Sequence, residues 1–208
     1  MKAKLFMLFL VVAFGSCKKS ATDTAWAEKP QTIPQTQKKA YFASGCFWCV
    51  EEIYESLDGV AESISGYSGG STENPSYEAS NTGETGHAEA VEIHFNPEVI
   101  SFDTLVWVYF ASQNIEQVNG QGPDIGSQYR SILFYQNTEE HRIIKKHIDS
   151  LTQLGYKVAA EVKAFDKFWK AEDYHQNYVK NNPQNPYVQK VSIPRFKAFQ
   201  QKYKLYKP

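Results

Sequence analysis

The sequence predicts an α+β domain in which helices pack on one face of a mostly antiparallel sheet. Short apolar runs that are typical of strands alternate with amphipathic runs between residues 38 and 164. The predicted order is strand, helix, two strands, helix, strand, helix and strand, and two long glycine-rich loops interrupt it. Together these observations predict a two-layer α+β architecture.

The first predicted elements are a strand over residues 38–44 and a helix over residues 46–57, with Gly45 at the corner between them. The strand is an apolar run, and the helix carries apolar residues at helical spacing before it closes at Asp58-Gly59. Residues 60–67 alternate loosely between apolar and polar side chains, which predicts the second strand.

The third predicted strand spans residues 88–95, whose alternate side chains form one apolar face, and Asn96-Pro97 ends it. Ser101 or Asp103 can cap the helix that follows. A short apolar run over residues 131–135 predicts the next strand.

The last predicted elements are a helix from Thr138 to about Leu154 and a strand over residues 158–164, with a basic and aromatic tail after them. This order predicts a two-layer sandwich with a mostly antiparallel mixed sheet and a ferredoxin-like core. Residues 66–77 and 113–129 form the two glycine-rich loops, and loops of that length in a compact domain are usually functional.

The first 16 residues predict a lipoprotein signal peptide. Lys2 and Lys4 precede an apolar run over residues 5–14, which is too short to cross a bilayer as a stable helix. Cys17 directly follows Gly-Ser and resembles the lipobox of bacterial lipoproteins, in which the cysteine is lipidated. Phe14 departs from that pattern, because leucine is usual there.

An ordinary signal peptide, with Cys17 removed or left as a free thiol, is the alternative at this end of the chain. Residues 17–37 predict a flexible tether, because they are rich in Lys, Thr, Gln, Ala and Pro and have little apolar periodicity. The folded domain then covers residues 38–208. We expect an exported protein of the bacterial cell envelope, anchored to a membrane through Cys17 and facing the periplasm.

The composition limits the classes of partner. Lys and Arg number 22 and Asp and Glu number 23, so the near balance gives no reason to expect nucleic acid or an anionic surface as a partner. Aromatic residues make up 14% of the chain, which favours an aromatic-lined globule over a disordered chain.

The segment 45–51, G-C-F-W-C-V-E, joins the first predicted strand to the first predicted helix. We expect Cys46 in the first helical turn, where unpaired N–H groups and the helix dipole favour an anion and lower the pKa of a thiol. Cys49 follows on the same helical face, so a disulfide is possible with little backbone movement.

Two structural cysteines and a zinc site are the alternatives for this pair. Zinc needs about four ligands, and the only further cysteine is Cys17, so a redox or nucleophilic role is favoured. An exported dithiol would meet an oxidising compartment and would need a dedicated supply of electrons.

Other polar residues could serve the same site. If Glu89 faces the apolar side of its strand, burial raises its pKa and makes it a proton donor; otherwise it is a solvated carboxylate at a strand end. Tyr77, Tyr129 and Tyr178 lie beside loops or helix ends, where a single tyrosine more often serves packing. Asp124 can cap its own turn.

Six short motifs occur in order along the chain. They are G-C-F-W-C-V-E at 45–51, G-Y-S-G-G at 66–70, N-P-S-Y at 74–77, T-G-H-A-E at 85–89, Q-Y-R-S at 128–131 and A-E-D-Y-H-Q at 171–176. Together they resemble the signature of A-type peptide methionine sulfoxide reductases over residues 39–183. Several independent motifs in one order are far more specific than any single one.

The resemblance implies the reduction of methionine S-sulfoxide, free or within proteins, to methionine, without a metal or an organic cofactor. It implies that Cys46 attacks the sulfoxide sulfur, that Glu89 supplies the proton, and that Cys46 is left as a sulfenic acid. Cys49 then condenses with it to a disulfide, which a thioredoxin-like protein reduces. The other implied residues are Phe47 and Trp48 as the cradle of the S-methyl group, Tyr77 and Tyr129 on the oxygen, and Asp124 and Tyr178 on the polar side.

The chain departs from the family pattern at two places. Many members have glycine where Cys49 stands and recycle through cysteines near the carboxyl terminus, whereas no cysteine follows Cys49 here. Cys49 is therefore the only candidate within the chain to resolve the sulfenic acid. The family also often has a His-Asp-Pro-type segment where this chain has Ser112-Gln113-Asn114-Ile115, which bears on local loop geometry.

Two other functions fit parts of the pattern. A general thiol–disulfide oxidoreductase of thioredoxin type would share C-x-x-C at a helix start but would not need Glu89 or the tyrosines. A surface lipoprotein that only binds peptides would use the aromatic pocket without turnover. We expect instead a monomeric enzyme that repairs oxidised methionines in exported proteins, because oxidation makes an apolar side chain polar.

Overall fold

The computed structural model describes residues 37–205. The predicted signal peptide, the predicted lipidation site Cys17 and nearly all of the predicted tether lie outside these residues. Within them, no helix combines the length and the apolar composition that a membrane span requires.

In chain order the elements are β1 (Lys38–Ser44), α1 (Phe47–Glu55), β2 (Val60–Ser68), α2 (Tyr77–Asn81), β3 (Ala88–Phe95), α3 (Phe102–Ala111), β4 (Gly120–Gln121), β5 (Asp124–Ile125), a 3₁₀ turn (Ser127–Tyr129), β6 (Ser131–Tyr135), α4 (Thr138–Gln153), β7 (Glu161–Ala164), β8 (Phe168–Lys170), a 3₁₀ turn (Asp173–His175), α5 (Tyr178–Asn181), a π-helical turn (Val188–Ser192) and α6 (Ile193–Leu205).

Six strands form the main sheet, in the order β7-β6-β1-β3-β2-β8. Neighbouring strands pair antiparallel, except β6 and β7, which are parallel. The two-residue strands β4 and β5 form a separate hairpin inside the second glycine-rich loop. The predicted α+β class and the mostly antiparallel mixed sheet are therefore confirmed.

The larger core lies between the sheet and the helices α1 and α3. Phe42, Val91 and Ile93 from the central strands are completely buried there, against Ile53 of α1 and Leu105 of α3. Burial of each such side chain contributes roughly 1.5–3 kcal/mol relative to leaving it in water. This core fixes the position of α1, whose amino end carries the first cysteine.

The opposite face of the sheet is covered by the segment that leads into β8. Tyr41 of β1 stacks on Phe165 of that segment, with ring centroids 3.7 Å apart. Ala88 and Ala90 of β3 are buried on this side. Since side chains alternate along a strand, Glu89 between them faces the helices.

Several elements differ from the sequence prediction. The strand expected over 158–164 begins only at Glu161, and β8 follows it, although no strand was predicted there. Three residues are too few to show a periodicity. The pairing of β8 with β2 also depends on Gly66, where a Cβ atom would collide with the backbone carbonyl of Trp169.

Candidate active site

The corner between β1 and α1 places Cys46 at the amino end of the helix. Gly45 turns the chain with a φ of 79°, and Cys46 is the N-cap residue of α1. The N–H group of Phe47, which has no partner within the helix, donates a hydrogen bond of 2.9 Å to the carboxyl group of Glu89. The first cysteine and the candidate acid therefore lie at the same helix end.

A cavity of about 310 Å³ opens at this helix end. Seven of the residues predicted for the site line it, together with Asn185 and Tyr187, which the sequence analysis did not single out. The predicted seven are Cys46, Phe47, Trp48, Tyr77, Glu89, Asp124 and Tyr129. Small-molecule pockets begin at about 300 Å³, so this cavity is large enough for a methionine-sized side chain.

A larger cavity of about 520 Å³ shares Asp124 with the first one and extends towards α6. It is lined mainly by loop residues and by Lys190, Arg195 and Lys202, and neither Cys46 nor Cys49 reaches it. Because a reaction needs the reactive sulfur in its wall, we assign the chemistry to the smaller cavity.

Glu89 is held as a buried acid. Its residue is only 3% exposed, so the solvated carboxylate at a strand end that the sequence left open does not occur. Burial is the main reason that its pKa rises to about 8, and the nearby carboxylate of Asp124 adds to the rise. The N–H of Phe47 opposes this shift in part. At neutral pH most of the Glu89 side chain is protonated and can act as a proton donor.

Phe47 and Trp48 form the apolar wall. His175, which is fully buried, packs on Phe47 at a ring-centroid distance of 4.9 Å and accepts a 2.9 Å hydrogen bond from the indole N–H of Trp48. Tyr77 also stacks on Phe47, with the two ring centroids 6.4 Å apart. Trp48 is thus fixed in one orientation by an isolated histidine to which the sequence analysis gave no role.

Tyr77 and Tyr129 provide hydroxyl groups on the polar side of the cavity. Burial raises the pKa of both phenols above the ordinary value, so both stay protonated near neutrality. The Tyr129 hydroxyl donates a long hydrogen bond of 3.4 Å to the side-chain oxygen of Asn81 in α2. Both tyrosines can therefore donate to an oxygen that enters the cavity.

Tyr187 was missed by the sequence analysis, and it lies at the centre of the polar wall. Its hydroxyl donates to the carboxylate of Asp124 at 2.5 Å and also lies within hydrogen-bond reach of the Cys46 sulfur. The signal that could have found it is local: an asparagine and a proline precede Tyr187, as Asn74-Pro75 precedes Tyr77.

Tyr178 does not take the place predicted for it. Its ring stacks on Trp48 with centroids 3.7 Å apart, and its hydroxyl accepts a hydrogen bond from Asn185 instead of reaching Asp124. Tyr178 does not line the cavity. The chain between 182 and 187 brings Tyr187 to Asp124 instead, and a substrate-binding role for Tyr178 stays a prediction.

The two cysteines are reduced and buried, with 6% of Cys46 and 2% of Cys49 exposed. They are hydrogen-bonded to each other, and the Cys49 thiol group also contacts the hydroxyl of Ser192 at 3.1 Å. Burial raises the pKa of Cys46 well above its usual range. The hydrogen bond from Cys46 is the main reason that the pKa of Cys49 falls to about 6.

The expected lowering of the Cys46 pKa is therefore wrong for the resting pair. Burial outweighs the partial charge of the helix end. The two sulfurs titrate as a unit in which the last proton rests on Cys46 and the negative charge on Cys49. Cys49 is then placed to take the Cys46 proton when that sulfur attacks.

Comparison with known proteins agrees with this geometry. The family described as peptide methionine sulfoxide reductase matches residues 38–207. A peptide methionine sulfoxide reductase MsrA of Pasteurella multocida is 45% identical over 160 residues, which cover 76% of this chain and 92% of that protein. The MsrA of Deinococcus radiodurans is 41% identical over 170 residues, or 80% and 82% of the two chains.

Solved structures of similar proteins give the same result. Reduced Mxr1 from Saccharomyces cerevisiae is 32% identical, with a TM-score of 0.68 over 73% of this chain and 89% of that chain. Methionine sulfoxide reductase A of Corynebacterium diphtheriae is 29% identical, with a TM-score of 0.66 over 73% of this chain and 77% of that chain.

Proposed function

The chain belongs to the peptide methionine sulfoxide reductase family, and we propose that it reduces methionine sulfoxide, free or within proteins, in the 310 Å³ cavity. One observation carries this assignment: Cys46 and a protonated Glu89 share that cavity, and the Phe47 amide holds the acid in place. A general thiol–disulfide oxidoreductase would have no use for a protonated acid beside its reactive sulfur, so that alternative is not favoured.

The substrate is held between an apolar and a polar wall. Its S-methyl group packs on Phe47 and Trp48, and its oxygen accepts hydrogen bonds from Tyr77, Tyr129 and the protonated Glu89. Because the methyl group, the oxygen and the attacking sulfur are fixed by three different parts of the cavity, only one configuration at sulfur fits. The resemblance to A-type peptide methionine sulfoxide reductases implies that this is the S configuration.

The first half-reaction transfers the oxygen to the enzyme. Cys46 passes its proton to Cys49 and attacks the sulfoxide sulfur while Glu89 protonates the oxygen. A sulfoxide oxygen is a poor leaving group until it is protonated, which is why the acid must lie across the cavity from the nucleophile. The protonated oxygen then passes from the substrate sulfur to the Cys46 sulfur: the S–O bond of the substrate and the transient bond between the two sulfurs break, and a new S–O bond forms on Cys46. Methionine leaves, and Cys46 becomes a sulfenic acid.

In the second half-reaction Cys49 attacks the sulfenic acid, water leaves, and a Cys46–Cys49 disulfide forms. A thioredoxin-like dithiol protein then reduces this disulfide. We expect Cys49→Ser to release one equivalent of methionine per enzyme but to lose turnover with such a donor. Quantifying the released methionine by chromatography, with and without the donor, measures the single equivalent and the turnover. Normal turnover with the donor would show that Cys49 is not the resolving residue.

Racemic methionine sulfoxide tests the proposed activity. With dithiothreitol as the reductant we expect the S isomer to disappear and the R isomer to remain, as chiral chromatography would show, and Cys46→Ser to consume neither. If the unaltered protein consumes neither isomer, the proposed activity is wrong. Consumption of the R isomer instead would mean that the methyl group and the oxygen of the substrate are not bound by the apolar and the polar wall as proposed.

We also propose that the chain is a lipoprotein of the bacterial cell envelope, with residues 1–16 removed and Cys17 lipidated. The support is the basic start, the short apolar run and the Gly-Ser-Cys sequence at residues 15–17. It would then work as an anchored monomer on exported proteins. Mass spectrometry of the native amino terminus tests the modification, and an unmodified Cys17 would contradict it.

A finer description of the fold is part of the same proposal. The elements β1, α1, β2, β3, α3 and β6, with the strand order β6-β1-β3-β2 in the sheet, support a ferredoxin-like core in a two-layer sandwich. In such a core the chain enters the first helix from β1 and leaves it into β2, and both strands belong to the sheet. This anchoring of α1 at both ends keeps the Cys46 thiol close to Glu89 on β3.

A further inference from the structure

We propose that the reducing protein attacks Cys46, and not Cys49, in the Cys46–Cys49 disulfide, and that Ser192 and Arg195 stabilise Cys49 as the thiolate that leaves. This inference rests on the proposed function, in which Cys49 closes that disulfide.

The first argument is access. Cys46 lines the 310 Å³ cavity through which a substrate enters, whereas Cys49 lines neither that cavity nor the larger one. Cys49 is 2% exposed, and the residue that contacts its sulfur, Ser192, is also 2% exposed. An incoming thiol therefore meets Cys46 first, along the path that the substrate uses.

The second argument is the setting of Cys49. The π-helical turn Val188–Ser192 delivers the Ser192 hydroxyl to the Cys49 sulfur at 3.1 Å. One turn further on, the guanidinium of Arg195 donates hydrogen bonds to the carbonyl oxygens of Ser112 at 2.9 Å and Ser44 at 3.0 Å. These two carbonyls fix the guanidinium next to the first turn of α1.

Arg195 keeps its charge available for the sulfur. No carboxylate within residues 37–205 lies at ion-pair distance from its guanidinium, so the charge is not neutralised by a close partner. Arg195 and the Ser192 hydroxyl both lower the pKa of Cys49, after the larger effect of the Cys46 hydrogen bond. The ionisable groups that also act electrostatically on Cys49 or are affected by it are Glu52 on α1, Glu89 on β3 and Tyr187 before the π-helical turn.

The reduction can then be written step by step. The donor thiolate forms a bond to the Cys46 sulfur, the Cys46–Cys49 bond breaks, and its electron pair leaves on Cys49. The second donor thiolate attacks the donor sulfur of this mixed disulfide and releases Cys46, which takes up a proton. The donor ends as a disulfide, and the enzyme gains two electrons.

Leaving-group chemistry agrees with this direction. A sulfur of low pKa leaves a disulfide faster than one of high pKa. Attack on Cys49 would instead expel Cys46, which lacks the contact with the Ser192 hydroxyl and has Glu89 beside it, so a negative charge on its sulfur is less stabilised. Access and charge therefore select the same bond-breaking event.

Trapping the mixed disulfide tests the inference directly. The probe is a thioredoxin whose second active-site cysteine is replaced by serine, mixed with the oxidised full-length enzyme and quenched in acid. Peptide mass spectrometry should find the probe on Cys46; finding it on Cys49 overturns the inference. The methionine burst of the reduced enzyme is measured before it is oxidised for the trapping experiment, because the absence of a burst would contradict the proposed function and not this step.

Substitutions test the role of the two supporting residues. In the preformed disulfide, Ser192→Ala and Arg195→Gln should slow reduction by the donor by roughly threefold or more, since the departing thiolate is less stabilised. Lys197→Gln removes the same charge from an exposed position of α6 and should not change the rate. Arg195→Lys, which keeps the charge, should recover part of the loss.

The same variants in a Cys46→Ser background report on Cys49 alone. The thiolate absorbance of Cys49 should titrate at higher pH in Ser192→Ala than in the parent. Equal reduction rates for Ser192→Ala, Arg195→Gln and the Lys197→Gln control would show that the two residues only support the fold.

Discussion

Glu89 can serve as an acid only while it carries its proton. Its pKa of about 8 means that the protonated form dominates below that pH and is lost above it. The negative charge of the cysteine pair forms as the pH rises through about 6. We therefore expect the rate of methionine release in a single turnover to rise near pH 6 and to fall near pH 8, a bell-shaped profile that rapid quenching at each pH would show.

Glu89→Gln tests the acid without removing the side chain. The amide oxygen can still accept from the Phe47 N–H, but the group has no acidic proton, so we expect release to slow by about 10²–10⁴-fold and the fall near pH 8 to vanish. If Glu89→Gln releases methionine as fast as the parent, the proton on the sulfoxide oxygen must come from one of the tyrosines.

Tyr187 and Tyr178 form a matched pair, since the structure places one hydroxyl in the cavity wall and the other outside it. A hydrogen bond to a charged partner contributes about 1.5–3 kcal/mol, so Tyr187→Phe should lower kcat/KM for methionine sulfoxide by roughly tenfold or more. Tyr178→Phe keeps the ring that stacks on Trp48 and should change it little. The reverse order of the two effects would support the original prediction for Tyr178.

Single residues of the site were predictable where a motif fixes them to an element. Cys46, Phe47 and Trp48 follow from one helix start, and Glu89 from one strand. Tyr187 was not, because it is placed by an irregular Asn- and Pro-rich segment with no periodicity. The pKa of Cys46 was also out of reach, since it depends on burial by residues far away in the sequence.

At the scale of elements, the corner between β1 and α1 depends on glycine. Gly45 has a φ of 79°, and a Cβ atom there would lie 2.5 Å from the Cβ of Gln121; Gly155 has a φ of 93° with open space around it. Gly155→Ala should cost about 1–2 kcal/mol of unfolding free energy from the backbone alone. Gly45→Ala should cost more and should also slow methionine release, because it displaces Cys46.

Chemical denaturation of both variants, with the burst rate measured on each, checks that expectation. Equal losses of stability would mean that Gln121 moves aside freely.

The strands predicted best are those with a continuous apolar run or a regular apolar alternation between clear turn residues. β1 and β3 have the predicted bounds, and so does β6. The short edge strand β8 and the helices after it were not predicted, since their apolar residues are few and lie among basic and polar ones. Only Phe199 of α6 is fully buried, so the sequence of that helix carries little apolar periodicity from which it could be predicted.

At the scale of the whole molecule, folding changes the proton balance. Burial is the main reason that the pKa rises from 4.5 to about 8 for Glu51 and Glu89 and to about 7 for Glu52. The stability that goes with these raised values is fully present below the unfolded pKa and is lost as the pH rises through the folded values. We expect the Tm of the disulfide form, whose thiols do not titrate, to fall from about pH 5 to about pH 8.

Glu51→Gln should flatten that slope, because an amide cannot ionise, while it can keep the contacts that the carboxyl group makes with Ser65 and Asn177. Glu84→Gln, at an exposed position, is the control and should leave the slope unchanged. Thermal unfolding at several pH values measures it. If the slope of Tm against pH is the same in Glu51→Gln as in the parent, groups other than Glu51 cause the pH dependence of stability.

The hydrogen bond between Cys49 and Ser192 joins positions 143 residues apart in the sequence, and the one from Arg195 to the Ser44 carbonyl joins positions 151 residues apart. During synthesis, the catalytic end of α1 leaves the ribosome long before its cover does. A nascent or truncated chain that ends before Ser192 therefore has its thiols without their enclosure. Such a product would be open to stray oxidants and foreign thiols, so completion of translation is itself a condition for selective chemistry.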